Sequence, residues 1–432
     1  MRPRKGRCRI EVMKANIAYK FELMPTREQK RIFAQAAGCR RFVWNKAIEL
    51  QKRCLEQEVP FLKYTELARL LVLWKKEDDM LWLQEAPSQA LQQCLMDASA
   101  AIQAFKAKKN GFPKFQARGD GDSFRIPQVR PTDWDEANGR VRIPKAGFVR
   151  FRKSRSIQGK IKQMTVSVEC GHWFVSVVTE MDFANDGPRR PGEVGIDLGI
   201  AKTVTLSDGT VFRLDVESIK KHEKRIAVLQ RQLCRNKEVR QKLAKLGKAN
   251  PFDKREPSRM HRRLKAKIQN HHRCIRNIRR DFMLKTAHTI AQNYGWVAME
   301  DLKLKNMTKS VKGTVEEPGK NVRQKTGLNR SLARVAPYAM RMAIHWAVFK
   351  ANGRLILVDP KYTSQTCPIC GYTSSSNRPS QAHFGCQKCG YTANADVVGA
   401  ANVLKKSRTG SVRPCSELGN KTATGTVLFV AS

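Results

Sequence analysis

The spacing of hydrophobic residues changes along the chain, and each change marks a boundary between predicted regions. Residues 17–23 alternate between apolar and polar positions, which is typical of a β-strand. Thr26 and Gln29 then form a capping box that predicts the start of a helix. From there to about Lys109, apolar residues recur at helical spacing. These stripes predict the core of a helical bundle.

Short strands are predicted after this helical region. Segments 123–126, 140–143 and 148–152 alternate arginine with apolar residues, so their cations are expected on the open face of a sheet. Residues 163–178 have the pattern of a β-hairpin. Together with the strand at 17–23, these segments indicate a small β-barrel that a helical insertion interrupts.

A second sheet is predicted after a linker rich in glycine and proline at 185–192. Residues 194–200 form an apolar run with one acid, Asp197, and an Asp-Gly turn at 207–209 joins two further short strands. The apolar residues of the run share one face, so Asp197 is expected on the other face, between two glycines. A buried structural aspartate and an aspartate that binds a metal ion both fit this pattern.

The remainder of this region alternates between helices and strands. A long basic helical zone runs from about Ser218 to Gln292, and the short strand after it ends in Glu300. Residues 302–330 are polar and predict a loop, residues 340–348 have helical spacing, and residues 355–358 form an apolar strand.

The composition indicates a polyanionic partner. The 432 residues carry a formal net charge of +44, yet 41% are hydrophobic, which is enough apolar material for two to four folded domains. The sequence has no run of about 18 apolar residues and does not open like a signal peptide, which argues against a membrane protein. We therefore expect a cytoplasmic, nucleoid-associated bacterial protein that binds DNA, RNA or both.

Four of the 12 cysteines form the most specific motif in the chain. Two Cys-x-x-Cys pairs, each followed by glycine, are separated by fifteen residues: Cys367, Cys370, Cys386 and Cys389. Four thiolates at this spacing can close a tetrahedron on Zn²⁺, and a site with four sulfur ligands has no open position for catalysis. The motif predicts one structural zinc site in a zinc ribbon. The other cysteines are scattered singly, and we assign them no function.

Three acids are candidates for a catalytic metal site. Asp197 lies on a first strand, Glu300 ends a later strand, and Asp396 lies in the predicted first turn of a late helix, after a possible N-cap at Asn394. An RNase H-like sheet brings these three places to one end of the fold. Three carboxylates there could hold two Mg²⁺ ions for phosphodiester hydrolysis.

The motifs around these acids resemble the TnpB (OrfB) proteins of small bacterial insertion sequences, which are relatives of the type V CRISPR effector nucleases. The resemblance spans nearly the whole chain and is most specific from 190 to 405. The segments that carry it are Tyr19–Phe21, Gly111–Phe115, Asp197–Gly199, Met299–Leu302, Asp359–Cys367 and Asn394–Asp396.

The resemblance implies a multi-domain α+β and α/β architecture with a RuvC (RNase H-like) nuclease domain. The expected domains are a leader and first strand of a wedge β-barrel (1–24), a helical recognition domain (25–110), the rest of the wedge barrel (111–186), the RuvC-like domain (190–362), a zinc ribbon that binds target nucleic acid (363–393), the last RuvC helix (394–406) and a disordered tail (407–432).

The resemblance also implies an activity and its partners. Asp197, Glu300 and Asp396 would be both the catalytic acids and the ligands of two Mg²⁺ ions. The protein would bind a guide RNA copied from the transposon end and would cut target double-stranded DNA that pairs with the guide beside a short flanking motif. The sequence leaves the oligomeric state open, and a monomer on the RNA is the favoured alternative. Basic residues at which nucleic acid is expected to bind are Lys114, Arg150, Arg152, Arg262, Arg263, Arg276, Arg279 and Arg280.

Two other functions remain open from the sequence. A transposase could use the same fold directly on transposon ends, but the order Asp, Glu, Asp, with the last acid on a helix after a zinc ribbon, favours a RuvC-like nuclease. An RNA-guided repressor that does not cut DNA would be expected to lack one of the acids, and all three are present.

Overall fold

The computed structural model describes residues 12–119, 121–184, 190–245, 258–314, 317–409, 413–414 and 430–431. The chain divides into two compact units, one of residues 1–184 and 419–432 and the other of residues 185–418. The predicted leader up to residue 11, residues 185–189 of the predicted linker and most of the predicted disordered tail lie outside the described residues.

The first unit contains a helical segment between two groups of strands. Its elements are β1 (Val12–Glu22), α1 (Arg27–Glu56), α2 (Tyr64–Trp74), a 3₁₀ helix (Asp78–Glu85), α3 (Ser88–Lys106), β2 (Ser123–Ile126), β3 (Trp134–Asp135), β4 (Arg140–Ile143), β5 (Gly147–Arg150), β6 (Lys160–Glu169) and β7 (His172–Ala184). A second, very short 3₁₀ helix (Pro131–Asp133) precedes β3. The predicted strands, hairpin and helical region are all present. The capping box forms as expected, because the Thr26 hydroxyl accepts from the Gln29 backbone N–H and the Gln29 side chain accepts from that of Thr26.

Two sheets of this unit share one hydrophobic core. β1, β7, β6 and β2 are hydrogen-bonded neighbours in that order, and β3, β4 and β5 form a second, antiparallel sheet. A bridge between Leu23 and Phe151 connects the end of β1 to the end of β5. Side chains of both sheets, among them Phe21, Val149 and Phe151, are buried together. The helices bury a core of their own, with Leu67, Leu91 and Leu95 at its centre.

The second unit alternates strands with long helices. Its elements are β8 (Glu193–Asp197), β9 (Val204–Leu206), β10 (Val211–Phe212), α4 (Val216–Lys245), α5 (Arg259–Asn293), β11 (Trp296–Glu300), α6 (Leu304–Met307), α7 (Val322–Val335), α8 (Pro337–Lys350), β12 (Arg354–Val358), a 3₁₀ helix (Ser375–Asn377), β13 (His383–Gly385), β14 (Thr392–Asn394), α9 (Ala395–Thr409) and β15 (Arg413–Pro414).

The central sheet of this unit has the strand order β10-β9-β8-β11-β12-β15. β8, β11 and β12 are parallel, whereas β9 and β10 continue the sheet antiparallel from β8. Helices α5 and α8 bury one face of the sheet, where Val194 and Ile196 pack. Helix α9 covers the other face, where Val403 packs against Ile356 and Val358.

Two sequence predictions need correction in this unit. Residues 302–330 are not a continuous loop, because α6 lies within them and α7 begins at Val322. Helix α7 buries only Leu332 and Val335 and is otherwise polar, although Leu328, Leu332 and Val335 stand at helical spacing in the sequence. Helix α9 continues to Thr409, three residues beyond its expected end.

Two described segments of the expected disordered tail form short strands, one in the central sheet of the second unit and one in the sheet that contains β1. β15 lies antiparallel to β12, and β16 (Val430–Ala431) lies parallel to β1. No helix in the described ranges is long and apolar enough to cross a membrane.

Candidate acid site and four-cysteine site

Asp197 and Glu300 end two neighbouring parallel strands. Ile196 of β8 is paired with Met299 of β11, so the two acids follow directly at the same edge of the sheet. Because carboxyl ends of parallel strands share one edge, residues far apart in the sequence meet there. The prediction from alternation also holds, since the buried neighbours Val194 and Ile196 face the core on the opposite side.

Asp396 reaches this edge on helix α9, which lies against β8. A Cβ atom on Gly195 would be 1.9 Å from the carbonyl oxygen of Ala400, so only glycine allows the helix to approach this closely. At Gly399 a Cβ atom would be 3.7 Å from Oδ2 of Asp197. The helix begins at Ala395, and the Asn394 side chain accepts a hydrogen bond from the Asp396 backbone N–H at 3.1 Å. The expected cap is therefore present.

The three carboxylates influence one another electrostatically. The pKa of Asp197 rises to about 7, mainly because burial penalises its charge and further because Glu300 and Asp396 are negative neighbours. Burial also raises the pKa of Glu300, against the lowering effects of the Thr363 hydroxyl and of the cations Lys406 and Arg378. Buried like charges of this kind are a favourable setting for a divalent cation.

Two cations lie beside Asp396. Lys202 Nζ is 3.3 Å from Oδ2 of Asp396, and Arg378 is 3.9 Å from its Oδ1. Lys202 follows β8 in the chain, whereas Arg378 belongs to the segment between the two cysteine pairs. The segment between the two cysteine pairs therefore contributes a cation to the acid site as well.

A buried hydrogen-bond network positions Glu300. The Thr363 hydroxyl lies 2.6 Å from Oε1 of Glu300, and Thr363 is only 2% exposed. Asn402 of α9 in turn donates to the carbonyl oxygens of Thr363 and Thr366, at 2.8 and 2.7 Å. Helix α9 thus carries one acid and fixes the segment that orients another.

Thr363, Asn402, Lys202 and Arg378 were missed as site residues by the sequence reasoning. The only signal for Thr363 was its place in the segment Asp359–Cys367, which carries part of the family resemblance. A hydrogen bond between a loop and a helix leaves no periodic pattern in a sequence.

The four cysteines form a compact cluster. Their sulfur atoms all lie within 4.8 Å of one another, with Cys367 and Cys389 3.6 Å apart and Cys370 and Cys386 3.5 Å apart. In both pairs the glycine after the second cysteine has a positive φ and donates its N–H to the first cysteine's carbonyl oxygen at 3.0 Å. Four thiols so placed suit a tetrahedral Zn²⁺ site.

The two sites differ in how closely their ligand atoms meet. Among the residues that the structure describes, the cysteines are the only group of three or more metal-binding side chains whose ligand atoms lie close enough together to hold one ion, all within 4.8 Å of one another. The carboxylates lie close enough to raise the pKa of Asp197 but are more widely spaced. Their donors are nevertheless all oxygen, which is the ligand type that Mg²⁺ prefers.

The basic residues expected at nucleic acid occupy different environments. Lys114, Arg150, Arg262, Arg263 and Arg276 are exposed. Arg152 is exposed too and lies 3.7 Å from Glu22. Arg279 and Arg280 are only partly exposed, and burial lowers the pKa of Arg279, which lies near the ion pair of Glu223 and Arg334.

The fold and the two sites define a mixed α/β protein with a cluster of three acids and a cluster of four thiols, both of them candidate metal sites. Three family models match the chain, described as a helix-turn-helix domain (residues 13–58), a probable transposase (176–311) and a Cas12f1-like TNB domain (338–403); the first two models are OrfB models. In the structure, residues 13–58 hold strand β1 and the single helix α1.

Relatives match over nearly the full length. A putative RNA-guided DNA endonuclease, InsQ, of Escherichia coli K12 is 41% identical over 406 residues, which cover 94% of this chain and 95% of the relative. A putative RNA-guided DNA endonuclease of Streptomyces pristinaespiralis is 27% identical, over 90% and 88% of the two chains. The chain belongs to the TnpB (OrfB) family, as the sequence motifs indicated.

More distant similarities include type V CRISPR proteins. Cas12f1 of Sulfoacidibacillus thermotolerans is 44% identical over 66 residues, or 15% of this chain and 16% of the relative. Among solved structures, a Cas12f1–sgRNA–target DNA complex matches with 15% identity and a TM-score of 0.32, over 91% of this chain and 99% of that chain.

Proposed function

We propose that the protein is an RNA-guided DNA endonuclease that uses a RuvC-type centre of Asp197, Glu300 and Asp396 with two Mg²⁺ ions. The observation that carries the proposal is that two strand ends and one helix start bring these acids together, with the pKa of Asp197 raised to about 7 by burial and by the other two. Its family membership and the naming of its relatives as RNA-guided DNA endonucleases support the same activity.

The sheet of the second unit supports a RuvC (RNase H-like) domain. Strands β8, β9 and β10 form an antiparallel meander, and β11 and β12 follow parallel to β8 on its other side. In the first unit, two sheets around one core with helices inserted between their strands support a wedge barrel with a recognition domain.

The residues of the chain have separable roles in this mechanism. Asp197, Glu300 and Asp396 would hold the ions, which when bound would activate a water molecule and stabilise the leaving oxygen of the phosphodiester. Thr363 would orient the Glu300 carboxylate by its hydroxyl. Lys202 and Arg378 would offset the negative charge of Asp396 and could contact the phosphate backbone once the ions are bound.

The partners follow from the charge of the chain and the names of its relatives. A formal net charge of +44 suits the binding of both a guide RNA and a DNA target. Base pairing with the guide would read the target sequence, and the protein would hold the backbones and recognise a short flanking motif. We propose that it acts in the bacterial cytoplasm, at the nucleoid.

The four-cysteine cluster would hold a structural Zn²⁺ ion. All four donors are thiols, so no position remains for a substrate. The ribbon has a direct path to the acid site, because the N–H of Ala395, next to Asp396, donates to the carbonyl oxygen of Ala382 in the ribbon at 2.9 Å. The zinc site would therefore fix the start of α9.

A transposase acting directly on transposon ends is the second candidate, and the probable-transposase model at residues 176–311 favours it. The two functions predict different nucleic acids in the purified protein. We expect a defined RNA of transposon-end sequence to co-purify, and Mg²⁺-dependent cuts to move when the guide segment of that RNA is changed. Cuts that occur at transposon ends without RNA would instead establish the transposase.

A further inference from the structure

An exposed tyrosine lies on the segment that orients Glu300. Tyr362 is 62% exposed and has a φ of +62°, a backbone conformation that residues other than glycine rarely adopt. Its neighbour Thr363 is 2% exposed and makes the hydrogen bond to Glu300. The two adjacent side chains therefore differ completely in surroundings, one buried at an acid and the other in solvent.

The segment is held in this conformation from several sides. The carbonyl oxygen of Tyr362 accepts from the N–H groups of Gln365 and Thr366, both at 3.1 Å, and from the Thr366 hydroxyl at 2.9 Å. Asn402 of α9 donates to the carbonyl oxygen of Thr363, and Lys406 of the same helix donates to the carbonyl oxygen of Lys361. Hydrogen bonds to three successive carbonyl oxygens therefore hold the backbone at Tyr362, from which the ring extends into solvent.

Nothing within the described ranges uses that ring. It makes no hydrogen bond, no contact with another aromatic ring and no cation–π contact there, and it belongs to none of the buried clusters. A tyrosine that only filled space would be expected to be buried, and asparagine or glycine would suit the backbone better. Strained residues that the surrounding structure enforces are concentrated at functional sites.

The chemistry around the ring suits a nucleic-acid strand. Lys361 directly precedes Tyr362 in the chain and is exposed. Lys405 of α9 is exposed as well and donates to the carbonyl oxygen of Pro368 at 3.3 Å, and Arg378 lies beside Asp396. Single strands are bound by aromatic rings that stack on bases together with cations that follow the backbone. A base offers its face for stacking only where it is not already stacked in a duplex.

We infer that Tyr362 stacks on an unpaired base of the DNA strand being cut, next to the scissile phosphate, and so sets the position of the cut. The Cα atoms of Tyr362 and Thr363 are about 3.8 Å apart, so the stacked base would lie within one or two nucleotides of the acids. The inference rests on the proposed nuclease function and adds a positioning residue to it.

A fluorescent base tests the stacking without relying on cleavage. The probe is 2-aminopurine, placed in turn at each target nucleotide within three of the cut and bound to the full-length, guide-loaded protein in an Asp197→Asn background. We expect one position to be quenched on binding, and Tyr362→Ala to remove that quenching while Tyr362→Phe retains it. Tyr372→Ala is the matched control, because Tyr372 is also an exposed tyrosine, 41% exposed, on the neighbouring cysteine pair.

Cleavage by the otherwise wild-type protein provides the second readout. Loss of one base–aromatic stack should lower the single-turnover rate on the order of 10-fold and spread the cuts over neighbouring nucleotides. An abasic nucleotide at the quenched position should have the same effect, with no further loss in Tyr362→Ala. Tyr362→Asn, which tolerates the same backbone, separates loss of the ring from damage to the turn: it should keep the thermal midpoint but lose the stacking.

The outcomes are distinct. A wild-type protein that fails to make guided cuts refutes the proposed function itself. If the wild type cuts, the stacking is refuted by a Tyr362→Ala protein that keeps the quenching and the cut position, or by an equal loss in Tyr372→Ala.

Discussion

The four-cysteine cluster and the acid site are two candidate metal sites joined by a few residues, yet they are built in opposite ways. The cysteines come from two short motifs, and their sulfur atoms lie within 4.8 Å of one another. The acids come from two strands and a helix that are roughly 100 positions apart in the sequence, and they meet only after the sheet has formed. One site depends on local turns and the other on the fold of a whole unit.

The difference extends to the charge of each site. The pKa of Asp197 rises to about 7 because it is buried beside two other acids, so the site is strained electrostatically without a cation. Lys202 and Arg378 offset part of that charge, and Arg378 is supplied by the segment between the cysteine pairs. The comparison therefore predicts that damage to the cysteine site reaches the acids, while damage to the acids leaves the cysteine site intact.

Cys389→Ala tests the first half of that statement and should have the largest effect. A structural Zn²⁺ site contributes about 10 kcal/mol or more to local folding, so loss of one ligand should release zinc and disorder the ribbon. Asp396 lies seven positions further on and should be displaced, which abolishes cutting. Zinc content by atomic emission and cleavage are measured together, with the exposed Cys234→Ala as control. A metal-free, folded and fully active Cys389→Ala protein would refute the coupling.

Asp197→Asn tests the second half. The variant keeps the shape of the side chain but loses the proposed metal ligand. Loss of several kcal/mol of transition-state stabilisation corresponds to a decrease in the cleavage rate of about 10³-fold or more. Zinc content, guide RNA binding and target binding should remain at wild-type levels. Cleavage at more than a tenth of the wild-type rate would show that the nuclease centre lies elsewhere.

The raised pKa of Asp197 predicts a pH-dependent stability in the absence of Mg²⁺. The folded protein holds the proton up to about pH 7, whereas the unfolded chain releases it near the ordinary value of 3.8. Stability is therefore greatest below pH 4 for this group and is lost as pH rises to 7, by up to about 4 kcal/mol. The free energy of unfolding in urea should therefore fall between pH 4 and pH 7 for the wild type, and Asp197→Asn should lack this part of the pH dependence. Mg²⁺ must be omitted rather than chelated, since a chelator would also remove zinc.

These properties were only partly accessible from the sequence. The spacing of the cysteines predicted their cluster, and the alternation around Asp197 predicted its face, because both depend on residues close together in the chain. Thr363 and Asn402 could not be recognised, since their contacts join a turn to a helix that only the folded sheet brings together. Helix α7 was missed although Leu328, Leu332 and Val335 stand at helical spacing, because the polar residues around them dominated the interpretation of this segment as a loop.

Thr363→Val should have a smaller effect that is confined to the acid site. It removes the hydroxyl that lies 2.6 Å from Glu300 but keeps the volume of the side chain. Loss of a group that orients a metal ligand typically lowers metal affinity or activity by about 10- to 100-fold. We expect the Mg²⁺ concentration for half-maximal cleavage to rise while zinc content is unchanged. Thr363→Ser retains the hydroxyl and should restore most of the activity; equal losses in both variants would assign Thr363 a packing role.

Lys202→Met should have the smallest effect, and in the opposite direction. Lys202 Nζ lies 3.3 Å from Asp396, where it would compete with the proposed Mg²⁺ ions for the carboxylate. Partly exposed ion pairs contribute about 0.2–1 kcal/mol, so its removal should lower the Mg²⁺ concentration for half-maximal cleavage by roughly 1.5- to 5-fold. Lys202→Arg keeps the charge and should leave that concentration near the wild-type value. If Lys202→Met instead requires more Mg²⁺, the lysine contacts the substrate phosphate rather than occupying the place of a metal ion.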